Sequence, residues 1–441
     1  MTPDRIPLRP GALKGGFMIR TRDQHLFDAG PKRILSLDGG GVRGLVTLGL
    51  LERAEAILKS RSSDPETFRL SHYFDLIGGT STGGIIATLL ALGHRVEDIR
   101  TIYLGLCPRV FRRPGILGWL TNPMGLFKSV FRTSDFARQI NKVIDEYVDR
   151  AGRTDHELTL NSDLLQTGLA IVTKRIDRGS VWVLTNNPRS MFWDPESPHW
   201  PAEPVNQKDW FANRDFPLRS LVRATASAPF FLDAIEIGIG DKQRGLFLDG
   251  GASPYNNPAK ELFLMSTLKR FNDDGAKSYS PFGFDWDAGK DNLFLYSIGT
   301  GTWRSTVEPA AYAKKLNLKK ATYTLASIID DGMKSSVVWL QALSEPARPF
   351  EVDVQLGDMR QMRIMQEPLL TFRHVNARLE KAWLNDHLGL DFRDRVVMEL
   401  RDFDNASPKN LARLCDIGSA AAEKFVSEED FPPQFDVGAR T

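Results

Sequence analysis

The sequence predicts an α/β protein built around a mostly parallel sheet, with a mainly helical C-terminal elaboration. Three observations carry that prediction. Apolar strands and helical stretches alternate from residue 34 to residue 90, the order of a βαβ crossover. Apolar strands end in glycine-rich turns at Gly39, Gly79, Gly250 and Gly299. Apolar residues at 42% and charged residues at 25% are ordinary for a globular chain, which removes the disordered and fibrous classes.

Taken in order, residues 1–31 read as a tail and lead-in, with Pro3, Pro7 and Pro10 among scattered charges and no apolar core of a secretory signal. Ile34-Leu35-Ser36-Leu37 is a short apolar strand. It runs into Asp38-Gly39-Gly40-Gly41-Val42-Arg43-Gly44 and a helical stretch over 45–59. The polar segment 60–69 leads to a second strand, the turn Gly79-Thr80-Ser81-Thr82-Gly83, and an apolar helix. Behind Ser134, the residues Phe136, Ile140, Val143, Ile144, Tyr147 and Val148 recur at helical spacing.

Residues 168–173 and 180–185 are β-rich runs joined by a charged turn, which predicts paired strands. A helix over 218–227 precedes the strand Gly245-Leu246-Phe247-Leu248 and its Asp249-Gly250-Gly251 turn. Pro258 opens a helix, and residues 293–298 form a strand ending in Gly299-Thr300-Gly301. In open α/β sheets ligands bind outside the carboxyl ends of the strands, so the four glycine turns should converge on one site. Beyond about residue 305 the pattern turns helical, with Ser407-Pro408 as an N-cap and first-turn pair. The expected organisation is a tail over 1–31, a core over 32–305 and a helical extension packed on it over 306–441.

With 57 basic and 55 acidic side chains the net charge is +2, which argues against nucleic acid as the main partner. Cys107 and Cys415 make no disulfide framework, and no Cys/His cluster points to a metal, so no metal or cofactor is expected. No uncharged apolar run approaches the ~20 residues that span a bilayer. A reducing cytoplasm fits, with any membrane contact made from the side.

Acyl transfer by serine needs a nucleophile, a base and donors aimed at the oxyanion. Ser81 is the candidate nucleophile, because a hydroxyl presented on a sharp strand-to-helix turn needs neighbours without bulky side chains. On its own the pentapeptide also fits a glycine-rich connection with an incidental serine. Gly39, Gly40 and Gly41 leave backbone N–H groups unshielded at a helix N-terminus and are the candidate oxyanion donors. Arg43 joins them as a cation in the first helical turn, where an anionic partner would offset its unfavourable place on the helix dipole; a plain surface arginine is its alternative.

Asp249 ends its strand in a Gly-Gly turn and is the candidate general base. In a Ser-Asp-His order only His374 and His387 follow it, and both read as polar, helical positions. Gly39, Gly41 and Gly44 also satisfy the GxGxxG dinucleotide fingerprint, but the next strand ends in the Ser81 turn rather than in an acidic residue. A dinucleotide-binding oxidoreductase and a non-catalytic lipid-binding scaffold stand as the alternatives.

On these residues the chain resembles the patatin-like phospholipase family. Asp38 to Gly44 is similar to its oxyanion motif, Gly79 to Gly83 to its nucleophile elbow, and Asp249-Gly250-Gly251 to its aspartate motif. Ala224-Thr225-Ala226-Ser227-Ala228-Pro229, Asn256-Asn257-Pro258-Ala259 and Ser297-Ile298-Gly299-Thr300-Gly301 resemble its flanking signatures, and Ser227 stands where alanine is more usual. The resemblance implies a patatin-like three-layer fold and lipid acyl hydrolysis of the phospholipase A type. It further implies a Ser81–Asp249 dyad acting on membrane phospholipid without a metal.

Residues 100–134 contain no acidic side chain but include Arg112 and Arg113, with Trp119 and Phe127 among interleaved apolar residues. That composition suits a lid at the headgroup boundary on the inner face of the membrane. A buried loop or an interface between copies of the chain suits it as well. Some bacterial members of the family are anti-phage effectors switched on by a cyclic nucleotide. This sequence resembles those stand-alone cytoplasmic members in general layout, while no motif marks an activator site.

Overall fold

The computed structural model describes residues 13–14, 17–111, 133–200, 211–229, 232–240, 243–304, 308–313, 317–349, 351–352 and 355–437. A small hairpin, β1 (Leu13–Lys14) with β2 (Phe17–Met18), precedes the main sheet. That sheet has nine strands. They are β3 (Lys32–Leu37), β4 (Leu76–Thr80), β5 (Gly168–Arg175), β6 (Ser180–Thr185), β7 (Ile235–Gly238), β8 (Arg244–Asp249), β9 (Leu293–Ile298), β10 (Ser344–Pro346) and β11 (Leu370–Val375).

The order across the sheet is β10-β11-β9-β3-β4-β5-β8-β7, with β6 also paired to β5. From β10 to β5 every pairing is parallel, whereas β6, β8 and β7 join antiparallel. Parallel strands need both faces covered, and β3, β4 and β9 are buried along their whole lengths.

Two apolar layers provide that cover. Leu35 and Leu37 of β3 pack with the helices Gly44–Arg61, Thr82–Ala91, Val96–Val110 and Pro408–Phe425. Ile34, on the opposite face of the same strand, packs with the helix Ala259–Thr267 and with Val337 and Leu340 of the helix Asn317–Leu343. The molecule is therefore a three-layer α/β protein, with the mostly parallel sheet that the order of elements predicts and the layering that the family resemblance implies. Among the described residues no helix is long and apolar enough to cross a membrane.

The C-terminal segment is mainly helical, as expected, with one addition. It carries helices, but it also supplies β10 and β11, which extend the parallel sheet beyond β9. Its Arg373 is buried in β11, where the Nε–H donates to Asp430 Oδ1 at 2.7 Å and Nη2 donates to the Phe425 carbonyl at 2.9 Å. His374 consequently lies on a strand and not on a helix. Arg112, Arg113, Trp119 and Phe127 lie outside the described residues.

Candidate active site

β4 ends at Thr80, and the helix Thr82–Ala91 begins two residues later, so Ser81 makes the whole turn. Its backbone sits at φ 55° and ψ −124°. Such a conformation costs on the order of 1–3 kcal/mol for a residue with a side chain. Among the described residues Met359 is the other non-glycine at positive φ. A Cβ on Gly79 would overlap the Gly83 carbonyl, and a Cβ on Gly83 would overlap the Leu37 carbonyl, so the glycines set how tightly strand and helix approach. The Ser81 N–H donates to Thr225 Oγ1 at 2.8 Å, and the Thr225 hydroxyl donates to the Val172 carbonyl of β5 at 2.5 Å.

Asp249 arrives from the opposite direction. Thr80 of β4 pairs with Val172, and Asp249 of β8 pairs with the next residue, Thr173. Residues 170–175 meanwhile pair with β6, so β4 and β8 share the other edge of β5 and meet there end to end. The glycine turns after β3, β4 and β9 follow parallel strands, but the one after β8 follows an antiparallel strand that points at them. Head-on strand ends place Ser81 Oγ 2.6 Å from Asp249 Oδ2, to which its hydroxyl donates.

The other carboxyl oxygen is fixed as well, since Asp249 Oδ1 accepts the Gly251 N–H at 2.7 Å. Asp249 is 4% exposed. Burial, opposed by the Ser81 and Gly251 hydrogen bonds, raises its carboxyl from the ordinary 3.8 to about 7. No cation is among the groups that shift it. A carboxyl that titrates near neutrality and holds a serine hydroxyl can take up and return a proton.

The donor loop lies beside this pair, because a Cβ on Gly39 would stand 3.1 Å from Ser81 Cβ. Each of its carbonyls is tied down. Gly39 O accepts from Thr300 Oγ1 at 3.0 Å and from Asn256 Nδ2 at 3.3 Å. Gly40 O accepts from the Arg43 backbone N–H at 3.2 Å and from Arg43 Nε at 3.3 Å. Gly41 O accepts from the Tyr103 hydroxyl at 2.6 Å and from Thr82 Oγ1 at 2.9 Å.

In a trans peptide the N–H of the following residue points away from the carbonyl. Pinning Gly39 O and Gly40 O therefore fixes the N–H directions of Gly40 and Gly41. Neither amide hydrogen-bonds another described residue. Gly39 differs from its neighbours, because its N–H already donates to the Asn256 carbonyl at 3.0 Å and is not free to meet an oxyanion.

Arg43 also departs from the donor role. Nη1 donates to the Gly301 carbonyl at 3.1 Å, and the guanidinium stands 4.9 Å from the Trp303 ring centroid. The side chain thus fastens the loop. Gly40 sits at φ 178°, which any residue adopts, but a Cβ there would overlap Thr300. Gly40→Ala is expected to displace the loop and lower acyl-ester turnover by about 10²–10³-fold, the usual effect of losing an oxyanion donor. Initial rates on a chromogenic ester, with a melting curve to verify folding, provide the check.

Neither histidine that follows Asp249 in the chain hydrogen-bonds the pair. His374 Nδ1 lies 3.1 Å from Ser297 Oγ, and burial lowers its pKa to about 3. His387 Nδ1 lies 3.2 Å from the Trp383 carbonyl. The residues that residue-type reasoning passed over are Thr225, Asn256 and Thr300. They fall inside segments singled out by their pattern, yet holding a backbone in place leaves no mark on a side chain's chemistry. As for the GxGxxG spacing, the strand after this loop ends at Thr80 and runs into the Ser81 turn, where a ribose-binding carboxylate would stand in a dinucleotide enzyme.

The family model described as Patatin-like phospholipase matches residues 35–263. Patatin-like protein 1 of Arabidopsis thaliana is 27% identical over 419 residues, covering 92% of this chain and 84% of its own length. The cGAMP-activated phospholipase of Escherichia coli (strain TW11681) is 27% identical over 285 residues, 64% of this chain and 66% of that protein. The cUMP-AMP-activated phospholipase of Escherichia coli is 40% identical over 104 residues, so the likeness covers 24% of this chain and 30% of that relative. The family match runs from β3 through the elbow and past β8, with Ser81 and Asp249 both inside it, and the chain belongs to the patatin-like phospholipase family, a family of hydrolases.

Proposed function

We propose that this chain is a lipid acyl hydrolase that cleaves fatty-acyl esters of membrane phospholipid through Ser81 and Asp249. The observation that carries the reading is the 2.6 Å hydrogen bond between Ser81 Oγ and an Asp249 carboxyl raised to about 7. Ser81 Oγ attacks the ester carbonyl carbon while its proton passes to Asp249 Oδ2. The Gly40 and Gly41 N–H groups receive the oxyanion of the tetrahedral intermediate. Collapse of that intermediate breaks the bond to the alcohol, which leaves as lysophospholipid with the proton returned by Asp249. Water then attacks the acyl-serine, again losing its proton to Asp249, and the fatty acid is released.

The substrate places the enzyme at a membrane surface, and a cytoplasmic protein docking from the inner face suits a chain with no apolar spanning helix among its described residues. The two Escherichia coli relatives are named for activation by cGAMP and by cUMP-AMP. We extend that regulation to this chain, with hydrolysis released by a cyclic nucleotide during anti-phage defence.

The experiment is mass spectrometry of the products formed from phosphatidylethanolamine–phosphatidylglycerol vesicles, with and without each cyclic nucleotide. Free fatty acid and lysophospholipid are expected in equal amounts. Their rate of release should rise with pH through about 7 and level off above it, because the ionised carboxyl is the base. Absence of lysophospholipid under every condition would overturn the reading.

A further inference from the structure

β6 has a neighbour on one side only. It pairs with β5 over residues 180–185, and no other described strand joins it. Along its open side runs a cavity of about 790 Å³, within the range of ligand sites. Five consecutive residues, Val181 to Thr185, line that cavity. Side chains alternate between the two faces of a sheet, so what five in a row share is the edge of the strand.

The parity of the ladder decides which backbone groups face the opening. The Asn186 N–H donates to the Leu169 carbonyl at 3.2 Å, continuing the register that pairs Leu184 with Ile171 and Trp182 with Thr173. In an antiparallel pair, residues exchange bonds with the neighbouring strand at every second position. Leu184 and Trp182 therefore turn their N–H and C=O groups to β5, and those of Val181 and Val183 point outward. No other described residue hydrogen-bonds these outward groups. Nor does the strand carry the usual protection of an edge, since Ser180-Val181-Trp182-Val183-Leu184-Thr185 has no charge, proline or bulge.

Both faces of the edge are walled by apolar side chains. Leu184 and Trp182 share one apolar layer with Phe216 and Ile239, and Val183 packs on the opposite layer together with Phe282. Phe192 and Phe211 also line the cavity while remaining 36% and 42% exposed. Charge is confined to one end. Arg175 is buried, paired with Asp177 at 2.8 Å and placed 5.0 Å from the Trp182 ring centroid. Arg178, in the turn before β6, is exposed and makes no hydrogen bond or ion pair with a described residue.

We propose that this groove takes an extended peptide of a partner protein, added antiparallel to β6, with side chains alternately toward Phe216 and Phe282 and a C-terminal carboxylate on Arg178. The free backbone groups select the class of ligand. A fatty acid would cover the apolar walls yet bury the Val181 and Val183 donors and acceptors unpaired, whereas an added strand pairs them. The charge selects the direction. β6 starts beside Arg178, so an antiparallel peptide ends there. A second folded copy of the chain fits less well, because walls on both faces of the edge admit a single chain and not a sheet. None of this depends on Ser81 being the nucleophile.

The test is a library of acetylated heptapeptides with free carboxyl ends, selected on the full chain, the strongest binder then being resynthesised and followed by calorimetry and hydrogen exchange. That peptide should bind saturably and slow exchange over residues 181–185. Amidating its carboxyl end should weaken it about tenfold or more, as should Arg178→Glu. N-methylation of its backbone should abolish binding at alternate positions and be tolerated at those between. Val183→Pro removes one outward donor and no bond to β5, which an edge strand admits, so a melting curve should show it folded while calorimetry shows the peptide lost. No saturable binder for the folded chain would overturn the proposal, as would binding that leaves exchange over 181–185 unchanged or that N-methylation affects alike at every position. Laurate bound in place of any peptide would make the cavity a fatty-acid site, and self-association lost in Val183→Pro would give the edge to a second copy; either result overturns the proposal.

Discussion

Asp249→Asn is expected to lower fatty-acid release by about 10⁴-fold or more while making the folded protein more stable at pH 8. The activity loss follows from the proton. An amide keeps the shape of the carboxyl and can keep the Gly251 contact, but it is not a base that can take up the proton of Ser81 Oγ. Ser81→Ala should fall as far, and the double variant no further, because groups that act as a unit are not additive. If Asp249→Asn retained most of the activity, another base would be at work, and the hydrogen bonds of His374 and His387 offer no replacement.

The stability gain follows from the same burial that tunes the base. Between the ordinary 3.8 and about 7, the folded chain holds a proton on Asp249 that the unfolded chain has released. Stability is thus lost as pH rises through that window, by an amount on the order of 4 kcal/mol if no other group responds. The amide does not titrate. Melting temperatures of the two proteins should therefore diverge in favour of Asp249→Asn as pH rises from about 4 to about 7, then keep a constant gap. A constant gap across the whole range would show that Asp249 is not raised in the folded protein.

The Ser81 elbow was legible in the sequence because its demands are local. Gly79, Gly83 and Ser81 are what the backbone at that point permits, whatever surrounds them. Asp249 was legible for a related reason, since a strand that stops in Asp-Gly-Gly places an acid at a strand end. Its antiparallel approach was not legible. That depends on β5 offering one edge to two strands in succession, a property of register far away in the chain and not of β8 itself.

Other features were hidden by being long-range or polar. The Gly39 amide looked like its neighbours until the Asn256 carbonyl, brought in by the turn after β8, took its hydrogen. β11 reads Leu-Thr-Phe-Arg-His-Val and lacks an apolar run, because its buried Arg373 finds Asp430 from the chain's last helical turns. β10 is three residues long and ends in proline, which suits an edge strand and gives no periodicity to detect.

The largest expected loss of stability comes from the opposite end of β4. Asp75 immediately precedes that strand and is fully buried. Its Oδ2 accepts the Arg33 backbone N–H and Nε–H, both at 2.9 Å, and its Oδ1 accepts Arg20 Nη2 at 2.9 Å and faces His25 Nδ1 at 3.0 Å. Burial alone would raise this carboxyl, but Arg33 and Arg20 outweigh it and hold the pKa far below the usual range. His25 is lowered to about 4, chiefly by burial, so near pH 7 it is neutral and donates its Nδ1 hydrogen.

Asp75→Ala leaves the buried Arg33 guanidinium and the half-buried Arg20 guanidinium without their carboxylate. It is expected to destabilise the fold by roughly 3–5 kcal/mol, the usual effect of removing one side of a buried ion pair. The loss should spread to the C-terminus, since Arg33 Nη1 also donates to the Phe435 carbonyl at 3.2 Å. Urea unfolding near pH 7.5 checks the size, and hydrogen exchange over residues 425–437 checks the spread. Because a depressed carboxyl contributes above its unfolded value and loses that contribution as pH falls through the folded one, the gap should persist down to about pH 4. A deficit under about 1 kcal/mol would mean that the arginines find other partners or water. The two aspartates share one environment in burial and differ in neighbours. Asp75 among cations stays ionised and holds the sheet together, whereas Asp249 with none is left titrating near neutrality, where a base for Ser81 has to be.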